Sequence, residues 1–298
     1  MEPAQLSSAE FEEFRRLIYR LSGIHVPENR ITLLSNRIRR RLRALQLPGY
    51  MHYLSLLKTP AGSGEISFFL DVVTTNETSF FRTEKQFQWL RTEFLEDLCS
   101  RIQRGTHPRR LRIWSAACST GQEPLTIGIC LLEHSDLLRG IEIEIDATDL
   151  SEQVLALARS GRYERRMLAG IPPELQQKYF QTVAADDTTT TNNNNNAADP
   201  ESAKDLCQVR PLLRKLIRYQ RHNLITKPPA GGYDCIFLRN VMIYFDQESK
   251  TVVTKHLQSA LADGGYLVIG PSEGLHDQLQ QLQRRSAFIY QKPTGARP

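Results

Sequence analysis

From Leu111 to Tyr290 the chain switches repeatedly between short apolar runs and helix-like stretches, and this alternation limits the fold more than any other feature. Leu111 to Ala117 reads as a buried strand, Pro124 to Glu133 as a helix and Ile141 to Thr148 as a second strand. Ser151 then caps a helix that runs through Ala158. Tyr233 to Leu238 is another apolar strand, and Gln247 to Leu261 the helix after it. A turn at Asp263-Gly264-Gly265, a strand over Tyr266 to Ile269 and a last short strand at Phe288 to Tyr290 complete the pattern. Strands that alternate with helices predict an α/β domain with a mostly parallel, Rossmann-like sheet covered on both faces.

The first eighty residues have a different period. Ser7 and Glu10 have capping-box spacing, and Phe11, Phe14, Leu17, Ile18 and Leu21 recur at helical intervals up to a stop at Gly23. A second helix after Pro27 carries an apolar stripe of Ile31, Leu34, Ile38, Leu42 and Leu45. Arg30, Arg37, Arg39, Arg40, Arg41 and Arg43 take up the rest of its circumference, and the pattern leaves Arg37, Arg40, Arg41 and Arg43 facing solvent. Two shorter helices follow, over Met51 to Leu57 and from near Gly64. The expected organisation is a helical domain over 1–80, a linker and first helix over 81–108, and an α/β domain over 109–298. A small β-subdomain is inserted at about 164–222. Inside it lie a short helix over Pro173 to Phe180 and a Thr/Asn tract from Thr188 to Asn196. There too Gln208 to Gln220 alternates Arg or Lys with apolar residues and suggests a hairpin.

Composition excludes several classes. With 298 residues, 40% hydrophobic and 24% charged, the chain can bury a sizeable core. No stretch approaches the roughly 18 apolar residues of a membrane span, and Met1 to Glu10 lacks the apolar core of a signal peptide. A cytoplasmic protein without membrane insertion is expected. The five cysteines are odd in number and lack metal-ligand spacing, so reduced thiols and no metal site are expected. The net charge of +5 favours an acidic partner without naming it.

Four polar segments interrupt the apolar pattern where an α/β sheet binds ligands, or just before it. The first strand runs into Cys118-Ser119-Thr120-Gly121-Gln122-Glu123-Pro124, a tight turn opening a helix. There Gly121 would let backbone approach a ligand and the helix N-terminus would offer free N–H groups. An ordinary strand-to-helix loop fits the turn equally well. The second strand ends at Asp149, placed either to accept hydrogen bonds from ribose hydroxyls or to cap the next helix. Arg239-Asn240-Val241-Met242-Ile243-Tyr244-Phe245 follows the Tyr233 strand, as a ligand rim or a solvated strand end. Thr75 to Arg82 combines hydrogen-bonding side chains, two aromatics and a cation, and reads on composition alone as a polar linker.

Taken together, NETSFFR (76–82), WSAACSTGQEP (114–124), Ala147 to Asp149 and RNVMIYFD (239–246) resemble the CheR family of chemotaxis receptor methyltransferases, as do Leu17 to Leu45 and Asp263 to Glu273. The resemblance implies a glutamate O-methyltransferase with S-adenosylmethionine as methyl donor and S-adenosylhomocysteine as product. It implies Asn76, Thr78, Arg82, Glu123, Asp149, Asn223, Leu224, Arg239 and Asn240 as donor contacts, and Arg82 and Tyr244 as the groups that assist transfer. The family's turn often reads Gly-Glu-Glu-Pro; here Gln122 replaces the first Glu. The partner implied is a methyl-accepting chemotaxis receptor, docked through Arg37, Arg40, Arg41 and Arg43, with the enzyme a monomer that does not bind nucleic acid.

That chemistry needs no nucleophile-generating base. The sulfonium is a good electrophile, and a glutamate is already a carboxylate near neutral pH. The lack of a Ser-His or Cys-His constellation is therefore expected. Three competing readings have less support. A nucleic-acid methyltransferase would fit the net charge, but Asn240 to Tyr244 lacks the two prolines of the Asn-Pro-Pro-Tyr motif. A donor-binding module without turnover does not explain the intact Arg82 and Tyr244. A nicotinamide dehydrogenase lacks its GxGxxG.

Overall fold

The computed structural model describes residues 5–183, 205–275 and 277–295, so the Thr188–Asn196 tract lies outside the described residues. The chain divides into two compact units, one of Met1–Asn76, Thr148–Val154 and Arg221–Pro298, the other of Glu77–Ala147 and Leu155–Gln220.

The first unit begins with helices α1 (Ser8–Ser22), α2 (Ile31–Ala44), α3 (Tyr50–Leu57) and α4 (Glu65–Val73). The capping box forms as read: the Glu10 N–H donates to Ser7 Oγ at 3.3 Å, and the Ser7 N–H donates to Glu10 Oε2 at 2.8 Å. Gly23 ends α1 in the left-handed region at φ 72°, which glycine adopts without a Cβ clash. Phe14, Tyr53 and Phe69 pack as a fully buried aromatic trio at the centre of the helices.

In α2 the structure corrects the sequence reading. Leu34, Ile38 and Leu42 are buried and Ile31 and Leu45 partly so, as the stripe predicts. Of the four arginines read as solvent-facing, only Arg40 and Arg43 are exposed. Arg41 forms a two-pronged pair with Glu65 of α4 at 2.7 and 2.8 Å and lies over the Phe68 ring. The Tyr53 hydroxyl donates to the same Glu65 carboxylate at 2.7 Å. Arg37 donates to the Val73 carbonyl at 2.6 Å and to Thr75 Oγ1 at 2.9 Å, stapling the end of α4 to α2. A planar fork of donors suits such two-point contacts.

The same unit holds β7 (Tyr233–Leu238), α11 (Gln247–Ala260), β8 (Leu261–Ile269), β9 (Gln283–Ser286) and β10 (Ile289–Gln291). The strands lie in the order β7-β8-β10-β9, with β7 parallel to β8 and β10 antiparallel to both its neighbours. Every residue of β7 is buried, which is why that run shows no alternation. The expected turn at Asp263 to Gly265 lies inside β8 as a bulge: Tyr233 pairs with Leu261, and Cys235 next pairs with Tyr266. The end of α1 meets this part of the unit, with Ser249 Oγ donating to the Gly23 carbonyl at 2.9 Å and the His25 N–H to the Tyr244 carbonyl at 2.8 Å.

The second unit contains α5 (Glu84–Trp89), a π-helical turn over Leu90–Phe94, α6 (Leu95–Gln103), β1 (Arg110–Ala116) and α7 (Gln122–Leu132). It also contains most of β2 (Glu142–Asp149) and α8 (Glu152–Ser160). Here the strand order is β6-β2-β1, with β6 at Ile217–Arg221. A separate antiparallel sheet, β3-β5-β4, is built from Arg162–Glu164, Leu206–Val209 and Phe180–Val183, with α9 (Pro173–Tyr179) preceding β4. The hairpin expected over Gln208 to Gln220 does not form. Pro211, which cannot donate to a ladder, opens the short helix α10 (Pro211–Arg214), so β5 joins the small sheet and β6 the larger one.

Candidate functional site

Within the second unit, β1 ends in a turn of unusual backbone. Ala117 and Ser119 lie in the left-handed region at φ 65° and 51°, and Gly121 follows at φ 93°. Non-glycine residues pay for such conformations with strain, so the surroundings must hold them there. The Tyr163 hydroxyl donates to the Thr120 carbonyl at 2.7 Å. A Cβ on Gly121 would fall 2.9 Å from Tyr219 Oη and 3.0 Å from Tyr163 Oη. Glycine is therefore required here by packing as well as by φ, which the sequence reading had assigned to a ligand's approach. Beyond the turn, Glu123 accepts from the buried Ser115 hydroxyl at 2.7 Å. Gln122 is buried; its Oε1 accepts from Thr120 at 2.8 Å, while its Nε2 has no protein partner.

The segment Glu77 to Thr83 belongs to the same unit and is also strained, with Phe81 at φ 50° and Thr83 at φ 63°. Arg82 reaches back to the Glu77 carbonyl at 3.0 Å. The Phe81 N–H donates to Thr126 Oγ1 at 3.3 Å, and Phe80 is buried edge-on against Tyr163 and Phe180. Thr78 is half-buried between these anchors.

In the first unit, Asp149 is buried at the end of β2, and its Oδ1 accepts the Ser151 N–H at 3.0 Å. That bond closes a local turn ahead of α8, whose cap is Ser151, its Oγ accepting the Val154 N–H at 3.3 Å, so the capping reading of Asp149 is not realised. The Asp149 carbonyl accepts the His222 N–H at 2.9 Å, tying the start of the 222–226 loop to the same strand end. Asn223 does not extend its amide freely: Nδ2 donates to the Leu21 carbonyl at 2.8 Å and Oδ1 accepts from the Ile225 N–H at 3.4 Å. Leu224 is buried beside it, and Asn76 Nδ2 donates to Thr74 Oγ1 at 3.4 Å.

After β7, Arg239 is buried and Asn240 takes a left-handed φ of 59°. A turn of 3₁₀ helix over Met242–Tyr244 leaves Tyr244 half-buried. Glu273, fully buried, accepts the N–H of Asn240 through Oε1 and the N–H of Met242 through Oε2, the latter at 2.8 Å. Burial pushes its carboxyl pKa upward, opposed by the N–H groups of Asn240, Met242 and Val241 and by nearby Lys250. The sequence reading included Glu273 only as the last residue of the Asp263 to Glu273 stretch that resembles the family, and gave it no role.

Among the described residues, six non-glycine residues have positive φ: Gln46, Phe81, Thr83, Ala117, Ser119 and Asn240. All but Gln46 lie within the motifs at 76–82, 114–124 and 239–246 or next to one of them. Strain of this kind gathers at functional sites.

Residues 76–290 match the SAM-binding domain of CheR methyltransferases, and residues 9–74 match their all-alpha domain. A chemotaxis protein methyltransferase of Escherichia coli is 32% identical over 97% of this chain and 92% of its own. A probable chemotaxis protein methyltransferase of Rhizobium etli is 33% identical over 89% of this chain and 92% of its own. Chemotaxis protein methyltransferase 1 of Pseudomonas aeruginosa is 31% identical over 95% and 98%. With both parts matched in order and relatives above 30% identity along most of its length, the chain belongs to the CheR methyltransferase family, an all-helical domain followed by an S-adenosylmethionine-dependent methyltransferase domain.

Proposed function

We propose that this protein transfers a methyl group from S-adenosylmethionine to glutamate side chains of chemotaxis receptors, giving glutamyl methyl esters and S-adenosylhomocysteine. The observation that carries the reading is the coincidence of backbone strain with the family's motifs. The relatives' names, chemotaxis protein methyltransferases, supply the receptor pathway. The residues present suit the donor. A buried carboxylate, Asp149, stands at a strand end where ribose hydroxyls would be met. The left-handed turn ahead of Gln122 offers backbone N–H groups to a polar ligand, and the Gln122 Nε2 buried beside it has no protein partner. Asn76, Thr78, Arg82, Glu123, Asp149, Asn223, Leu224, Arg239 and Asn240 are the proposed donor contacts, Asn223 through its backbone because its amide is engaged.

The donor, when bound, supplies an electrophilic methyl group on sulfur. The chain's task is then orientation and desolvation rather than proton abstraction. Arg82 pairs with the acceptor carboxylate and fixes its direction. Tyr244 donates one hydrogen bond to it. Receptor docking falls to the helical domain, through the exposed Arg40 and Arg43; Arg37 and Arg41 act by holding that domain together. The enzyme is proposed to work in the cytoplasm as a monomer. Among the described residues no helix is long and apolar enough to cross a membrane.

The test is transfer of labelled methyl from the donor to receptor-enriched membranes. Label released by mild alkali is expected, as an ester requires. Alkali-stable label, or label in nucleic acid, would overturn the reading. Docking is tested with Arg40→Glu combined with Arg43→Glu, which should keep donor affinity and melting temperature but methylate receptors far more slowly at low salt.

A further inference from the structure

We propose that Glu273 is a positioning residue of the methyltransferase site, setting the Arg239–Tyr244 loop for donor binding by gathering its backbone N–H groups. The proposal rests on the reading that Asn240 contacts the donor. Glu273 lies past the end of β8, 33 residues beyond Asn240, and its side chain is fully enclosed. Each of its carboxylate oxygens accepts a different N–H, Asn240 on one and Met242 on the other, and the Val241 N–H also acts on the group. Three consecutive residues are thus tied to one enclosed carboxyl group. One of them, Asn240, is left-handed, a state that persists only where the surroundings over-determine it.

The packing around the carboxylate is equally specific. A Cβ on Gly270 would fall 2.6 Å from Glu273 Oε1 and 3.1 Å from the Asn240 nitrogen. Only glycine leaves room for the carboxylate to meet the loop. Lys250 of α11 is the charged group facing it. Removing the carboxylate would release a loop that carries Arg239, Asn240 and Tyr244 together.

The experiment is calorimetry of S-adenosylhomocysteine binding to wild type, Asn240→Ala, Glu273→Gln, the double variant and Gly270→Ala, each with its melting temperature. Asn240→Ala and Glu273→Gln should each weaken binding by roughly tenfold, the worth of one charge-assisted contact. The double variant should bind no worse than about the weaker single, because both changes disable one loop. Gly270→Ala, which displaces the carboxylate without removing its charge, should show a smaller loss in a folded protein. Wild-type affinity in Asn240→Ala would sink the donor-site reading and the proposal with it. Weak binding by Asn240→Ala with wild-type affinity in Glu273→Gln would leave that reading standing and sink the role of Glu273 alone. Fully multiplicative losses in the double variant would likewise make Glu273 a general scaffold residue. Should Glu273→Gln fail to fold, Gly270→Ala decides: unchanged affinity there overturns the proposal.

Discussion

The loop after β1 and the loop after β7 solve one problem with opposite chemistry. Each leaves a buried strand and puts non-glycine residues into the left-handed region: Ala117 and Ser119 in the first, Asn240 in the second. The first loop is braced through a carbonyl and by bulk. Tyr163 donates to the Thr120 carbonyl, and Gly121 fits against Tyr219 and Tyr163 with no room for a methyl group. The second is braced through N–H groups, by a buried carboxyl group. Burial holds the Tyr163 hydroxyl well above its ordinary pKa, so that brace stays neutral and protonated through the acid and neutral range. Burial also raises the Glu273 pKa, but there the shift moves titration toward neutrality. Which perturbation loosens a loop therefore depends on the brace and not on the strain, which both loops share.

The largest effect should come from Gly121→Ala. The new Cβ meets two tyrosine oxygens in a backbone that only glycine adopts readily. A cost of about 2 kcal/mol or more is expected, with S-adenosylhomocysteine binding lost. A variant that melts with wild type would show that this turn is not packed as described. Tyr163→Phe removes only the bond to Thr120 and should cost about 1 kcal/mol. Amide exchange should rise at 117–121 and stay unchanged at 239–244; protection lost equally in both loops would erase the distinction drawn here.

Asn240→Gly should act in the other direction on stability. Glycine relieves the left-handed backbone, worth up to about 1 kcal/mol, while the loss of the amide weakens donor binding. A lower melting temperature would mean the Asn240 side chain stabilises the fold more than its backbone strains it. The smallest effect concerns pH. Because the folded Glu273 carboxyl binds its proton more tightly than an ordinary glutamate does, its contribution to stability is full below the unfolded value of about 4.3. That contribution is lost as pH rises through the folded pKa. The melting-temperature advantage of wild type over Glu273→Gln should therefore shrink from pH 4 to pH 7, whereas the advantage over Tyr163→Phe should stay level. A flat difference for both would equate the two braces.

Local rules made much of this legible in the sequence. The Ser7–Glu10 box, the Gly23 stop and the β7 run depend on neighbours within a few residues, and all appear as read. What escaped depends on distant partners. Arg41 is neutralised by Glu65, 24 residues away, and Glu273 reaches back 33 residues to Asn240. The Gln208 to Gln220 alternation announced strands truthfully, but periodicity does not say which sheet a strand joins, and Pro211 sent its two ends to different ones. Left-handed residues other than glycine leave no mark on composition, so the strain at Ala117, Ser119 and Asn240 had no sequence signal of its own.

The pairing of Arg41 with Glu65 has a consequence for how such a helix can diverge. It divides α2 into positions that answer to the fold and positions that answer to whatever the protein meets. Arg37 and Arg41 are tied to α4 and the residues that follow it, so exchanging either would disturb the helical domain before any partner arrived. Arg40 and Arg43 project outward and are exposed. Their exposure places their charge where a partner could meet it. On the docking proposed above, a lineage could retune its choice of receptor at these two positions.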